Sequence, residues 1–535
     1  MPGSRGASTR WRAVSFLVLV VAAAVLVTHF AVMNTVVVGI FHDDGIYTVL
    51  AKSLADGTGY RLVSLPSSPV QLKYPVLYSG VLAILWWLLP SFPENVALFK
   101  AFNVIALFVG LLLSYRFLRL NTTPSRIDAV TYVLLIGACP LVFSLTRLPL
   151  SDTLFFALTV GAVAFQGVRG TAGTIALATL AAAAYLTRTL GVALIVAFAS
   201  WFILHRSYRS LLIFLGVTGA LISPWWYWQH VQRNDGVASI LLEYYVAYKP
   251  ESHASVVVWS DWSKAVELVW ANLRYAVESL DAAFFLGAVP GLRLVACLLL
   301  LVGIYQSLRE RIGVHHLWLP LYVLIVVGWP WHPGRFMMPV MPVALLFLVR
   351  GAQAVERWLR GMNAHWSART VAWIPRIPTV MMTLLVILWL GLYVRADPRL
   401  EVRPAWERHE SYWPGFTETF AWIRANTAAN DVLATAYDPM YYLYTGRQGV
   451  RPWLYKPSTY FYPYKRGFAD LGDVDRIRQE LDRLGVRYLV IDPLDGYAEE
   501  ESSARHFEHL LESYPAKPEL VFTSSDGRHW IYRLS

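Results

Sequence analysis

Apolar runs close to the length of a bilayer crossing recur through the first 394 residues, separated by short breaks that hold many of the arginines. A crossing takes about 20 apolar residues, within roughly 17–25. On that measure spans are expected at 12–36, 96–118, 127–146, 152–168, 172–188, 190–204, 210–229, 284–307, 316–330, 335–350 and 371–394, eleven in all. The stretch 76–90 is apolar but short; it follows Pro75 and ends in WWLLPSFP, and it is expected to be a re-entrant or interfacial helix. Charge decides its treatment. With 76–90 left out, Arg5, Arg12, Arg116, Arg126, Arg209, Arg309 and Arg357 all fall on the side where the chain starts. Counting it as a crossing would scatter them, against the tendency of basic residues to stay in cytoplasmic loops. The N-terminus is then cytoplasmic, and Asp43, Asp44, Lys73, Arg147, Asp152, Arg188, His332 and Arg335 reach the opposite face.

From 395 onward the long apolar runs give way to Asp, Arg, Tyr and Pro, which predicts a separate α/β domain at 395–535, outside the cytoplasm. FTETFAWIRANT and DVDRIRQELDRLG have helical periodicity, the second ended by Gly485, while DVLATAY and VRYLVID read as strands. The closing ELVFTSSDGRHWIYRL has an Asp-Gly turn between apolar runs and predicts a hairpin. The fold class is thus a polytopic α-helical membrane protein, with a transmembrane domain at 1–394, an outer loop at 41–95, and an outward α/β domain.

Composition narrows the function. The chain is 56% hydrophobic and only 15% charged, against about 25% charged in ordinary soluble domains. The net charge of +10 comes from topology-setting arginines and forms no basic stripe, so nucleic acid is not an expected partner. The basic start MPGSRGASTRWR precedes an apolar run too long for a signal peptide, and the first segment is read as a retained anchor. Cys139 and Cys297 lie in apolar segments and suggest no disulfide framework. No Walker loop or GxGxxG turn is present, which disfavours an ATP-driven pump.

The candidate chemistry lies at span ends, where ionisable groups are costly unless they line a wet cavity or perform a task. FHDDGIY puts Asp43 and Asp44 at the end of the first apolar run. Either aspartate could cap the helix that follows; alternatively Asp43 is a general base for an acceptor hydroxyl or binds a metal that organises a phosphate. Lys73 in QLKYPVLY could snorkel to the interface or give a point charge to a lipid phosphate. Ser151 or Asp152 could cap the helix after SLTRLPL, or Asp152 is a second acidic group on the outer face. Arg335 in WHPGRFMMPVMP lies on the wrong side for a topology signal and suits a phosphate or pyrophosphate, whereas His332 alone more often has a structural role. The aromatic clusters at 86–87, 224–228 and 329–332 fit interfacial belts.

These motifs together resemble the GT-C membrane glycosyltransferases that use lipid-phosphate donors, a group including the protein O-mannosyltransferases and the lipid A aminoarabinose transferases. Asp43, Asp44, Tyr47 and Ala51 match that family's acidic pair and the residues after it, with Asp44 where the family has Glu. Lys73, Tyr74 and Pro75 match its Lys-Pro-Pro-like element with one proline missing; Asp152 matches its later acidic residue; Arg335, Phe336, Pro339 and Pro342 match its Arg-Tyr element followed by prolines. YYLYTGR and LGVRYLVID in the C-terminal domain also look like family segments.

The resemblance implies an inverting hexosyl- or pentosyltransferase of the cell envelope, in the bacterial inner membrane. It would move a sugar from a polyprenyl-phosphate donor to a hydroxyl of a lipid, glycan or protein acceptor. Asp43 and Asp152 would be catalytic, with Asp43 deprotonating the acceptor. Asp44, Tyr47, Lys73, Tyr74, His332 and Arg335 would bind substrate, with the phosphate near Lys73 and Arg335. Some branches use a divalent cation such as magnesium or manganese and others do not; if one is bound here, Asp43 and Asp152 are its expected ligands. The rival reading is a transporter or flippase for a lipid-linked sugar, although no paired repeats are visible in the sequence. A sensor with a merely anchoring membrane part would leave the charged span ends unexplained.

Overall fold

The computed structural model describes residues 4–33, 37–122, 126–232, 239–246, 262–284, 291–329, 331–362, 377–395, 413–454, 473–493 and 500–534. Its first part is a helical bundle of α1 (Ser4–Val32), α2 (Asp43–Ala55), α3 (Val76–Leu88), α4 (Val96–Asn121), α5 (Arg126–Ala138), α6 (Pro140–Thr146), α7 (Asp152–Ala164) and α8 (Gly170–Thr187). It continues through α9 (Val192–Leu204), α10 (Tyr208–Val231), α11 (Ile240–Val246), α12 (Trp262–Phe284), α13 (Leu292–Glu310), α14 (Val314–Val327), α15 (Met341–Met362) and α16 (Ile377–Arg395). Among the described residues five helices are long and apolar enough to cross a membrane, six if the bent pair α5–α6 is one span; several shorter apolar helices accompany them. The parts of the expected spans at 34–36, 285–290, 330 and 371–376 lie outside the described residues, as do Arg369 and the expected domain boundary at 395 from 396 to 412.

Small residues and prolines shape this bundle. Helices α13 and α15 approach so closely that a Cβ at Gly303 would meet the Phe347 carbonyl, and one at Gly351 the Leu299 carbonyl, the use of small residues expected where lipid supplies no hydrophobic drive. Between α5 and α6 the axis bends by 61° at Pro140, which has no N–H to continue the ladder. His29 of α1 repairs the break, since its Nε2 donates to the Gly137 carbonyl at 2.8 Å while Nδ1 meets Thr146 Oγ1 at 2.9 Å.

The expected span at 335–350 does not start as a regular helix. Gly334–Val340 forms 3-10 turns before α15 begins, because Pro339 and Pro342 remove two backbone donors there. Arg335 therefore rides on a tight turn at the end of the bundle. Helix α12 was not expected from the sequence. It directs Trp262, Val266, Trp270, Leu273 and Val277 outward and buries Leu268, Asn272 and Ala276; the Asn272 side chain donates to the carbonyls of Val327 and Trp329 at 3.1 and 2.6 Å, tying α12 to the turn that leads to Arg335.

The C-terminal domain contains α17 (Trp413–Asn426), β1 (Val432–Ala434), α18 (Asp438–Thr445), β2 (Gly449–Val450), α19 (Val474–Arg483), β3 (Val486–Ile491), α20 (Glu500–Glu512), β4 (Glu519–Thr523) and β5 (Trp530–Arg533). Its five strands run in the order β2-β1-β3-β5-β4, parallel on the β1 side and antiparallel from β3 to β4. The expected hairpin is β4–β5, with Gly527 at φ +67 in its turn. Asp473 caps α19 through the N–H groups of Asp475 and Arg476. DVLATAY is strand only at Val432–Ala434; the chain then turns into α18, which packs against α2.

Candidate active site

The starts of α2 and α7, the residue that ends α8 and the 3-10 turns at 334–340 meet, so ionisable groups found at the ends of apolar runs converge. Asp43 opens α2. Its Oδ1 accepts a hydrogen bond from the Tyr74 hydroxyl at 2.7 Å, and its Oδ2 forms an ion pair with Arg335. The Arg335 guanidinium lies against the rings of Phe41 and Phe336, with centroids 5.0 and 5.2 Å away. Burial alone would raise the Asp43 carboxyl, but the Arg335 charge and the hydrogen bonds from Arg335 and Tyr74 outweigh it and hold the group down at about 2.

Asp44 faces elsewhere, because successive helical residues point about 100° apart. Its carboxylate accepts from the N–H groups of Gly39 and Phe41 at 2.7 and 3.1 Å, closing the loop before α2. Burial pushes this carboxyl up to about 6, with those N–H groups opposing it. Lys73 is buried beside Asp43; burial lowers its amine to about 7 although the Asp43 charge works the other way. Its Nζ lies 5.8 Å from the centre of the Tyr74 ring.

Tyr47, one turn after Asp43, packs edge-on to Tyr74 at 5.3 Å and exchanges a hydrogen bond with Ser151 Oγ at 2.9 Å. Ser151 leads directly into Asp152, the first residue of α7. The Asp152 carboxylate forms an ion pair with Arg188 and is almost fully buried, with Oδ2 lacking a hydrogen-bond partner. Arg188 stands over the Phe336 ring at 4.8 Å, and Arg335 lies against the same ring. The two ion pairs are thus joined through one aromatic ring. His332 is exposed; it accepts from the Gly334 N–H at 3.0 Å and contacts the Tyr275 ring at 5.1 Å, which shapes the turn that carries Arg335.

The structure therefore brings Asp43, Tyr74, Lys73 and Arg335 together, links Tyr47 and Asp152 to them, and turns Asp44 and His332 toward their own loops. Four further residues belong to this cluster and were not given a site role from sequence. Arg188 is the partner of Asp152; His42 precedes Asp43; Asp438 and Arg451 come from the C-terminal domain, Asp438 facing His42 at 3.3 Å and Arg451 standing over Tyr245 at 5.6 Å.

A divalent cation fits poorly here. Both carboxylates expected to bind one are occupied by guanidinium groups. Among the described residues no three His, Cys, Asp or Glu side chains converge, whereas such a cation favours several oxygen ligands.

Comparison with protein-family models and with curated protein sequences finds no match. Solved structures do match over nearly the whole chain. ArnT from Cupriavidus metallidurans, bound to undecaprenyl phosphate, is 14% identical with a TM-score of 0.57; the match covers 96% of this chain and 97% of that one. The archaeal oligosaccharyltransferase AglB from Archaeoglobus fulgidus, in complex with an inhibitory peptide and a dolichol-phosphate, is 11% identical with a TM-score of 0.51, over 96% of this chain and 74% of that one. The chain has the GT-C fold of the membrane glycosyltransferases that its motifs resemble.

Proposed function

We propose that this protein transfers a sugar from a polyprenyl-phosphate donor to an acceptor hydroxyl, with inversion and with Asp43 as general base. The observation that carries the reading is Asp43 held ionised between Arg335 and Tyr74, with the buried Lys73 beside it. That arrangement supplies a proton acceptor and two cations for a phosphate in one place. Lipid phosphates bound by ArnT and AglB, proteins of the same fold, point the same way.

In the proposed step the acceptor oxygen attacks the anomeric carbon, the bond from that carbon to the phosphate oxygen breaks, and its electron pair leaves with the lipid phosphate. The acceptor proton goes to Asp43. Charge grows on the phosphate as the bond breaks, and Arg335 and Lys73 neutralise it, so their stabilisation is greatest in the transition state. Arg335 has two anionic partners in this scheme. As the donor phosphate draws the guanidinium, Asp43 loses its strongest counter-charge and becomes a better base. Tyr74 keeps the carboxylate aimed, and the Asp152–Arg188 pair holds Phe336 and so the Arg335 turn.

The eleven-span topology, with a cytoplasmic N-terminus and the C-terminal domain outside, belongs to the same proposal. It puts the site at the outer face of a bacterial inner membrane, where α12 lies along the interface and the C-terminal domain borders acceptor access. The test is purified protein in nanodiscs with a panel of polyprenyl-phosphate sugars. Sugar transfer with release of the lipid phosphate supports the reading; donor binding and movement across the bilayer without transfer, under every acceptor supplied, would replace it with transport.

A further inference from the structure

Three consecutive residues of the C-terminal domain are packed into the loop that presents Asp43. Asp438 Oδ1 accepts from His42 Nε2 at 3.3 Å, and its other oxygen lies 3.5 Å from Ser64 Oγ. Pro439 covers Gly45, where an added Cβ would come within 2.7 Å of the proline Cβ. Met440 covers Gly39, whose φ of +99 and lack of a side chain let the methionine close over it. A second seam continues this contact: the Gly449 N–H donates to the Ser64 carbonyl at 2.9 Å, and the Gln448 amide to the Val63 carbonyl at 3.1 Å.

The residue seized by this segment is under backbone strain. His42 has φ +68 and ψ −57 and is the centre of a γ-turn closed by the Asp43 N–H on the Phe41 carbonyl at 2.9 Å, a strained conformation that a residue with a side chain rarely adopts without support from its surroundings. Its carbonyl accepts from the Ile46 N–H at 2.9 Å and so starts α2, and the next residue is Asp43. The charged and titratable groups around its ring are Asp438, Asp43, Arg451 and Tyr245. Holding the imidazole from outside fixes the backbone from which the Asp43 carboxylate projects.

We infer that Asp438–Met440 is a clamp by which the C-terminal domain holds the strained His42 and thereby positions Asp43, making Asp438 a positioning residue for transfer. The inference rests on the proposed role of Asp43, and it gives the C-terminal domain a part in the chemistry as well as in acceptor access. Misplacing a reacting group by about 1 Å costs on the order of 100-fold in rate.

The test uses the full chain in nanodiscs with Asp438→Ala, Asp438→Asn and Gly45→Ala. Expected for Asp438→Ala is a fall in kcat of about 10- to 100-fold with donor KM within about threefold, and faster amide exchange over residues 39–45. Asp438→Asn keeps an acceptor for His42 Nε2 and retains most of kcat and of the exchange protection. Gly45→Ala pushes Pro439 away and reproduces the alanine phenotype. Unchanged exchange in Asp438→Ala, or faster exchange with wild-type kcat, overturns the inference. If wild-type protein transfers no sugar at all, it is the function reading that fails, and exchange alone decides whether the clamp exists.

Discussion

Replacing Arg335 with glutamine removes the cation that keeps Asp43 ionised while leaving a side chain of similar reach. The size of the effect can be bracketed within the same loop. Asp43 lies at about 2, whereas Asp44, next in the chain, fully buried and held by backbone donors with the Lys100 charge as the smallest contribution, lies at about 6. That gap of about four units is worth ~5 kcal/mol at about 1.4 kcal/mol per unit. Asp43 is less deeply buried than Asp44 and keeps the Tyr74 hydrogen bond, so in Arg335→Gln its carboxyl is expected between the ordinary 3.8 and about 6. The direct assay is isotope-edited infrared spectroscopy of aspartate carboxyls, with the Asp43→Asn/Arg335→Gln double variant subtracted. A protonated-carboxyl band should grow in as the pH falls from 7 to 4, and residual turnover should fall over the same window because the base is lost on its acid side. An Asp43 that stays ionised down to pH 4 without Arg335 would refute the electrostatic reasoning.

Lys73, brought to about 7 by burial, carries its charge below that pH and loses it above. Affinity for an intact phosphodiester donor, whose own charge is constant in this range, should fall by up to ~10-fold per pH unit above 7 and flatten in Lys73→Arg; a slope unchanged in that variant would exclude Lys73 from donor binding. In the bundle, Gly351→Ala should separate α13 from α15 and cost about 1–3 kcal/mol as overpacking, read as a lower Tm in detergent. Gly219→Ala, where an added Cβ meets nothing, should be neutral or slightly stabilising, and equal Tm values for the two variants would contradict the packing described.

Much of the candidate site was legible because charge at the end of an apolar run is expensive. Asp43, Lys73 and Arg335 stood out on that ground, and Tyr74 came with them as the residue beside Lys73. The two aspartates could not be separated from sequence: the distinction is a rotation about the helix axis, which turns Asp44 to the N–H groups of Gly39 and Phe41 and Asp43 to Arg335. Asp438 was invisible because it lies 396 positions from His42, and no local pattern encodes that contact. Arg188 read as an ordinary charge after a span, since its value comes from Asp152 on another helix. Helix α12 escaped because Glu267, Arg274 and Glu278 break its apolar run below the level of a span, although its outward stripe keeps helical spacing. Strand β2, two residues long, is too short for periodicity to register, and β1 keeps only three of the residues in the strand read from DVLATAY.

The central claim is that Asp43 takes the acceptor proton, and the most direct measurement is the single-turnover rate of sugar transfer in nanodiscs by Asp43→Asn beside the wild-type protein. Asparagine keeps the shape of the side chain and the contact with Tyr74 but cannot accept the proton. Loss of a positioned base typically removes 10²–10⁴-fold in rate, so the variant should bind donor with affinity close to wild type and transfer at least ~100-fold more slowly. Transfer by folded Asp43→Asn within about tenfold of the wild-type rate would contradict it.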